Sequence, residues 1–248
     1  MSAGFQCKKF YVAHDRCAMK VGTDGLLLGA WAPMPTGGTI LDIGAGSGLI
    51  SLMLAQRSQG KIAITAIELD DSAAAQAADN VALSPWPDSI RLIRGDILTY
   101  QPAERYRLIV SNPPFFQQSL AARDAKRQQA RHTDSLPFAA LLQKAASLLD
   151  DAGCFALILP HSSAPGFIAV AQQLGWQLQA QCTVLSKANR PQRSLLTLVR
   201  QSTNQLAVPA VSETQLLIHA ADGSYSADYQ QLLAAFYLKF TETVTAQL

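Results

Sequence analysis

The chain has 248 residues, 49% hydrophobic and 15% charged, with a formal net charge of +2. That length and balance suit one large α/β domain or two small ones in a soluble protein, and a charge so near neutral neither implies nor excludes a nucleic-acid partner. No apolar run approaches the ~20 residues that span a bilayer, and the opening MSAGFQCKKF lacks the charged-then-apolar order of a leader, so a cytoplasmic protein with no membrane role is expected.

Residues 1–36 precede the first strong strand signal and read as an N-terminal extension of a single domain covering 1–248. TILDIG (39–44), KIAITAIE (61–68), SIRLIRG (89–95), YRLIVS (106–111) and CFALIL (154–159) are apolar without strict alternation. That is the pattern of strands covered on both faces in a parallel sheet. Helices are predicted between them. SGLISLMLAQRS (47–58) has a broad apolar face, SAAAQAADNVAL (72–83) is alanine-rich with Ser72 as cap, and SLPFAALLQKAASLLD (135–150) is capped by Asp134 or Ser135 and stopped by Gly153. SPWPD (84–88) reads as a turn. Later, WQLQAQCTVLS, SLLTLVRQ and TQLLIHA are strand-rich and 226–240 reads as a closing helix. Repeated βα units predict a doubly wound open sheet.

Chemistry concentrates at strand ends. LDIGAGSGL sets Gly44, Gly46 and Gly48 where the first strand meets the first helix, with Asp42 just before them. Such glycines allow a tight turn and let a ligand approach bare backbone at a helix N-terminus. A dinucleotide loop reads GxGxxG, whereas this one reads GxGxG followed by Leu49, which argues against NAD. Glu68 with Leu69 ends the second strand, and Asp96 with Ile97 follows the third. Carboxylates there can accept hydroxyl or amino donors, though solvated acids at strand ends are the plain alternative. Cys7, Cys17, Cys154 and Cys182 show no metal-ligand or disulfide spacing; they are expected to be reduced thiols, and no metal is expected.

The fourth strand leaves through SNPPFF (111–116). Two prolines fix the backbone and push Asn112 to an extended shape, giving a stiff loop beside the glycine turn. The Asn112 amide oxygen and the Pro113 carbonyl can together accept both hydrogens of an amino group, and Phe115 can stack on the plane that carries it. Phe116 reads as pocket wall. Beyond it ARDAKRQQARHT brings Arg123, Lys126, Arg127 and Arg131 against Asp124, a cationic segment able to meet phosphates. Lys8, Lys9, His14, Arg16 and Lys20, and Lys187, Arg190 and Arg193, extend the candidate surface, a solvated loop being the alternative for any one of them.

The glycine loop, the two acids and the NPPF stretch resemble the class I S-adenosylmethionine-dependent methyltransferases that act on planar amino groups. The resemblance implies a Rossmann-like fold with a mostly parallel seven-stranded sheet and S-adenosylmethionine as cofactor. It implies Asp42, Gly44, Gly46, Gly48, Glu68, Leu69, Asp96, Ile97 and Asn112 at the cofactor, with Glu68 on the ribose hydroxyls and Asp96 on the adenine amino group. Asn112, Pro113, Pro114 and Phe115 are implied as the catalytic group, working by positioning. FYVAHDRCAMKVGTDGLLLGAWAP (10–33) and GSYSADYQQLLAAFYLKF near the end narrow the likeness to the bacterial tRNA1(Val) adenine-N6 methyltransferases. That narrower family modifies the adenine 3′ of the anticodon, which makes a tRNA anticodon stem-loop the expected partner, with no stable protein partner implied. It also implies that the extension folds over the site, with Thr23 and Asp24 at the methionine end. An rRNA guanine-N2 methyltransferase, a glutamine-N5 protein methyltransferase and an inactive RNA-binding regulator stay open as alternatives.

Overall fold

The computed structural model describes residues 4–113, 137–188, 190–201 and 210–241. A short hairpin, β1 (Gly4–Gln6) and β2 (Tyr11–Ala13), leads to α1 (Thr23–Trp31). Then β3 (Ile40–Ile43), α2 (Leu49–Ser58), β4 (Ile64–Glu68), α3 (Asp71–Ala82), β5 (Ile90–Arg94) and β6 (Tyr106–Ser111) alternate as the apolar runs predict. From residue 137 onward come α4 (Phe138–Leu148), β7 (Leu149–Pro160), α5 (Ala164–Gln173), β8 (Trp176–Leu185), β9 (Pro191–Arg200), β10 (Ser212–Leu217) and α6 (Ala227–Leu233).

The main sheet has the order β10-β8-β9-β7-β6-β3-β4-β5. β3 pairs in parallel with both β4 and β6, so the winding reverses at β3, and the crevice outside the ends of these strands is where such sheets bind ligands. Among the described residues of this sheet, only the pairings of β9 with β7 and with β8 are antiparallel. Among the described residues the sheet therefore has eight strands, one more than the seven expected, because β10 adds itself in parallel to the edge at β8.

Alternation along the strands sorts the core into two layers. Ile40, Leu108 and Val110 face a layer with Leu27 of α1, Leu52 and Met53 of α2 and Leu233 of α6. Leu41, Ile43 and Ile109 face the other, with Leu141 and Leu142 of α4 and Phe167 of α5. Helix α2 is buried continuously from Leu49 to Gln56 because α1 covers the face that the sheet does not.

Three local expectations shift. Helix α3 is capped by Asp70, whose carboxylate accepts the Ala73 N–H at 2.8 Å, not by Ser72. Helix α4 ends at Leu148 and the chain passes straight into β7, so Gly153 lies inside a strand and stops no helix. A Cβ there would meet the Tyr106 carbonyl oxygen at 2.9 Å, which makes glycine the residue that lets β6 and β7 approach. The closing helix ends at Leu233; Tyr237 and Phe240 instead stack on each other at 4.9 Å and fold back on Phe5 and Tyr229. Among the described residues no helix is long and apolar enough to cross a membrane.

Candidate functional site

After β3 the backbone turns through Gly44, Gly46 and Gly48 at φ of 72°, 54° and 81°, a region glycine enters without a Cβ clash. The Gly44 and Ala45 N–H groups donate to the Ile67 carbonyl at 2.9 and 3.0 Å, pinning the turn to β4. Glu68 completes the junction: one carboxylate oxygen accepts the Gly46 N–H at 2.7 Å and the other the Asp70 N–H at 2.9 Å. An ionised carboxylate has about four acceptor sites, so Glu68 keeps capacity for a ligand's hydroxyls. A Cβ placed on Gly44 or Gly46 would meet nothing within 4 Å, so both offer bare backbone to open space. Gly48 serves packing instead, since a Cβ there would touch that of Ala77 in α3 at 3.4 Å.

Two adjoining cavities open on this turn. The larger, about 780 Å³, is lined by Gly44, Gly46, Glu68, Leu69, Asp96, Ile97, Asn112 and Pro113, with Cys17 to Met19 from the N-terminal segment. The smaller, about 450 Å³, shares Met19, Gly44, Gly46 and Asn112 with it and extends to Thr23, Asp24, Gln192 and Arg193. Asp96 caps the short turn Ile97–Thr99, accepting the Leu98 N–H at 2.8 Å. The Ser111 hydroxyl donates to the Ile43 carbonyl at 2.9 Å, which fixes the end of β6 against β3 and sets Asn112 beside the glycine turn. Asn112 thus stands where the two cavities meet. The bare-backbone turn, the acids at the ends of β4 and β5 and the joined cavities fit an elongated nucleoside-bearing ligand with a second molecule at Asn112.

Two further polar residues, absent from the sequence-based set, hold the N-terminal segment in place. Asn80 accepts the Ala13 N–H at 3.0 Å and donates to the Ala13 and Ser47 carbonyls at 2.8 and 2.9 Å. Gln76 accepts the Arg16 N–H at 2.8 Å and the Cys17 thiol at 3.3 Å and donates to Asp15 at 2.6 Å. Both amides are buried on α3. Asp24 receives the Arg193 Nε–H at 2.8 Å, tying α1 to β9. Residues 13–24 therefore run as a strap from α3 to β9 past both cavities. The signal was available: two amides spaced four apart share one helix face in an otherwise alanine-rich stretch.

Asp42, expected at the cofactor, is fully buried behind the turn and lines neither cavity. It accepts the Ser51 hydroxyl at 2.7 Å on one oxygen and, among the described residues, has no partner on the other. Burial pushes its carboxyl up to about 7, against the lowering by Ser51 and with a smaller push from Glu68. Burial, then the charges of Glu68 and Asp70, raise the Cys17 thiol to about 11, which keeps it a poor nucleophile. Pro114, Phe115 and Phe116, the cations Arg123, Lys126, Arg127 and Arg131, and His132 lie outside the described residues.

The family model "Methyltransferase small domain" matches residues 18–164. A tRNA1(Val) (adenine(37)-N6)-methyltransferase of Dickeya chrysanthemi is 49% identical over 96% of this chain and 95% of its own. The chain belongs to this methyltransferase family. The Serratia proteamaculans member is 48% identical over 95% of this chain and 90% of its own. Among solved structures, a predicted O-methyltransferase of Agrobacterium tumefaciens superposes with a TM-score of 0.62 at 18% identity, covering 86% of this chain and 96% of that one. The glycopeptide N-methyltransferase MtfA complexed with S-adenosyl-L-homocysteine superposes with a TM-score of 0.55 at 18% identity, covering 72% and 90%. At such identities these likenesses establish the class I methyltransferase fold and nothing finer.

Proposed function

We propose that this protein transfers the methyl group of S-adenosylmethionine to N6 of adenine 37 in tRNA1(Val), the reaction named for its tRNA methyltransferase relatives. The observation that carries the reading at the site is Asn112, held by the Ser111–Ile43 hydrogen bond at the seam of two cavities beside the bare glycine turn.

S-adenosylmethionine, when bound, would supply a sulfonium methyl group whose S–CH3 bond breaks as the N–CH3 bond forms, leaving the neutral thioether S-adenosylhomocysteine. Glu68 would take the ribose hydroxyls and Asp96 the adenine amino group, the first carboxylate held by two backbone N–H groups and the second by one. Gly44 and Gly46 admit the cofactor's amino-acid portion against bare backbone. The Asn112 amide oxygen and the Pro113 carbonyl accept the two N6 hydrogens of the target adenine and orient its nitrogen, Phe115 stacks on the base, and the released proton passes to solvent. Pro114 stiffens the loop. No covalent intermediate is needed, so positioning carries most of the rate.

The target is an adenine of the anticodon loop, where a base is unpaired and costs less to splay out than one in a helix. Arg123, Lys126, Arg127 and Arg131 take phosphates of the anticodon stem-loop. Residues 1–36 belong to the same domain as an extension over the site, with Thr23 at the methionine end. The test is to incubate the protein with labelled S-adenosylmethionine and separate pools of unmodified tRNA, rRNA and release factor. N6-methyladenosine in the tRNA pool supports the reading, and label confined to either other pool sinks it.

A further inference from the structure

We propose that the tip of the β8–β9 hairpin is a second RNA-docking element, in which Lys187 and Arg190 take backbone phosphates of the substrate tRNA at the cavity mouth; this rests on the tRNA reading above. Strand β9 runs antiparallel to β7 and β8, with Arg193 opposite Pro160, the last residue of β7. The start of β9 and the end of β8 therefore lie at the sheet edge that carries the glycine turn and Asn112. From that edge Val184, Gln192 and Arg193 reach the wall of the smaller cavity. Arg190 precedes Gln192 by two residues, about 7 Å of extended chain.

Lys187 and Arg190 are exposed, and among the described residues neither is in an ion pair; the pairs are Arg16–Asp79, Arg94–Asp71, Arg107–Asp150 and Arg193–Asp24. Lys20, exposed on the strap, lines the same cavity. Asp222, in the turn after β10, has its carboxylate engaged by the Ser224 N–H and hydroxyl. The backbone at Ser186, Lys187 and Arg190 is also held by hydrogen bonds. Arg190 N–H donates to the Lys187 carbonyl at 3.1 Å and Ser186 N–H to the Arg190 carbonyl at 3.2 Å. His219 Nδ1 lies 3.1 Å from the Ser186 carbonyl, and its ring stacks on Tyr225, which stacks on Tyr229. With its backbone braced, the pair has only the two side chains to order on meeting phosphates. Ser186, Ala188 and Pro191 around them offer no large apolar side chain to bury against a protein partner.

The test measures binding of unmodified tRNA1(Val) transcript to the full-length protein and to the Lys187→Ala/Arg190→Ala variant across a salt series, with S-adenosylhomocysteine affinity as the check on folding. Each lost phosphate contact should lower the slope of log affinity against log salt by about 0.7–0.9, so the double variant should lose about 1.5 and bind roughly tenfold more weakly at low salt. The Lys187→Arg/Arg190→Lys variant should behave as wild type. If the double alanine variant failed to bind S-adenosylhomocysteine, Lys187→Ala alone would carry the test, with half the slope change. An unchanged slope and affinity in a variant that binds S-adenosylhomocysteine overturns the hairpin proposal while leaving the tRNA reading intact. A wild-type protein that neither binds nor methylates the transcript removes both.

Discussion

The Glu68 carboxylate accepts the Gly46 N–H at 2.7 Å, so the acid at the end of β4 and the glycine turn after β3 are a single unit. The same carboxylate holds the Asp70 N–H that precedes α3. Removing it frees a backbone donor in the turn and, on the proposed function, takes acceptors from the cofactor's ribose. Glu68→Ala should weaken S-adenosylhomocysteine binding about 10- to 100-fold, or ~1.4–2.8 kcal/mol, and Glu68→Gln should fall between that variant and wild type. Calorimetry decides it; wild-type affinity in the alanine variant would remove Glu68 from the site.

The proposed function gives Asn112, which lines both cavities, the amine and not the cofactor's main grip. Asn112→Ala should lower kcat by about 100-fold or more, as loss of a positioned polar contact at the reacting group does, while S-adenosylhomocysteine affinity stays within about threefold. An equal fall in both would make Asn112 a wall of the cofactor site only.

The strap makes a prediction about dynamics. Asn80→Ala strands the Ala13 N–H and carbonyl and the Ser47 carbonyl, at a cost of about 1–3 kcal/mol where such groups stay dry. Amide exchange at Ala13 to Cys17 should quicken, and S-adenosylhomocysteine affinity should drop about fivefold or more, roughly 1 kcal/mol. Lower thermal stability with unchanged exchange and affinity would show that Asn80 supports the fold alone.

Asp42 gives the protein a pH signature. Its folded carboxyl titrates near 7, raised by burial from an ordinary carboxylate value near 4. Below about pH 4 folded and unfolded chains both hold the proton, and the full contribution is present. Between about 4 and 7 the unfolded chain ionises first, so stability is lost as pH rises, and above that range the difference is constant. Asp42→Asn keeps an acceptor for Ser51 and has no proton to lose. Urea titrations at pH 4.5 and 7.5 should show wild type losing more stability than the variant over that interval, and parallel behaviour would contradict the assignment.

Sheet and site were legible to different depths. The five apolar runs, the GxGxG turn and the acids at two strand ends mark β3 to β7 and the residues that line the crevice at their ends, because parallel strands buried on both faces and a glycine turn leave local signatures. Gly153 misled because a glycine after a helical pattern usually stops the helix, whereas here it admits the Tyr106 carbonyl from a strand distant in sequence. Asp42 misled in the same way. Its place in the motif says nothing of depth, and only the packed structure puts Ser51 against it and the cavity elsewhere. The Asp24–Arg193 pair joins residues far apart along the chain, a contact that no local pattern encodes.

The central claim is the transfer to one amine on one nucleotide. Tritiated S-adenosylmethionine, the purified protein and two tRNA1(Val) transcripts, one natural and one with guanosine replacing adenine 37, test it directly, with the labelled nucleoside identified after digestion. Label should appear as N6-methyladenosine in the natural transcript and be absent from the substituted one; equal label in both, or label recovered as N2-methylguanosine, would contradict the account.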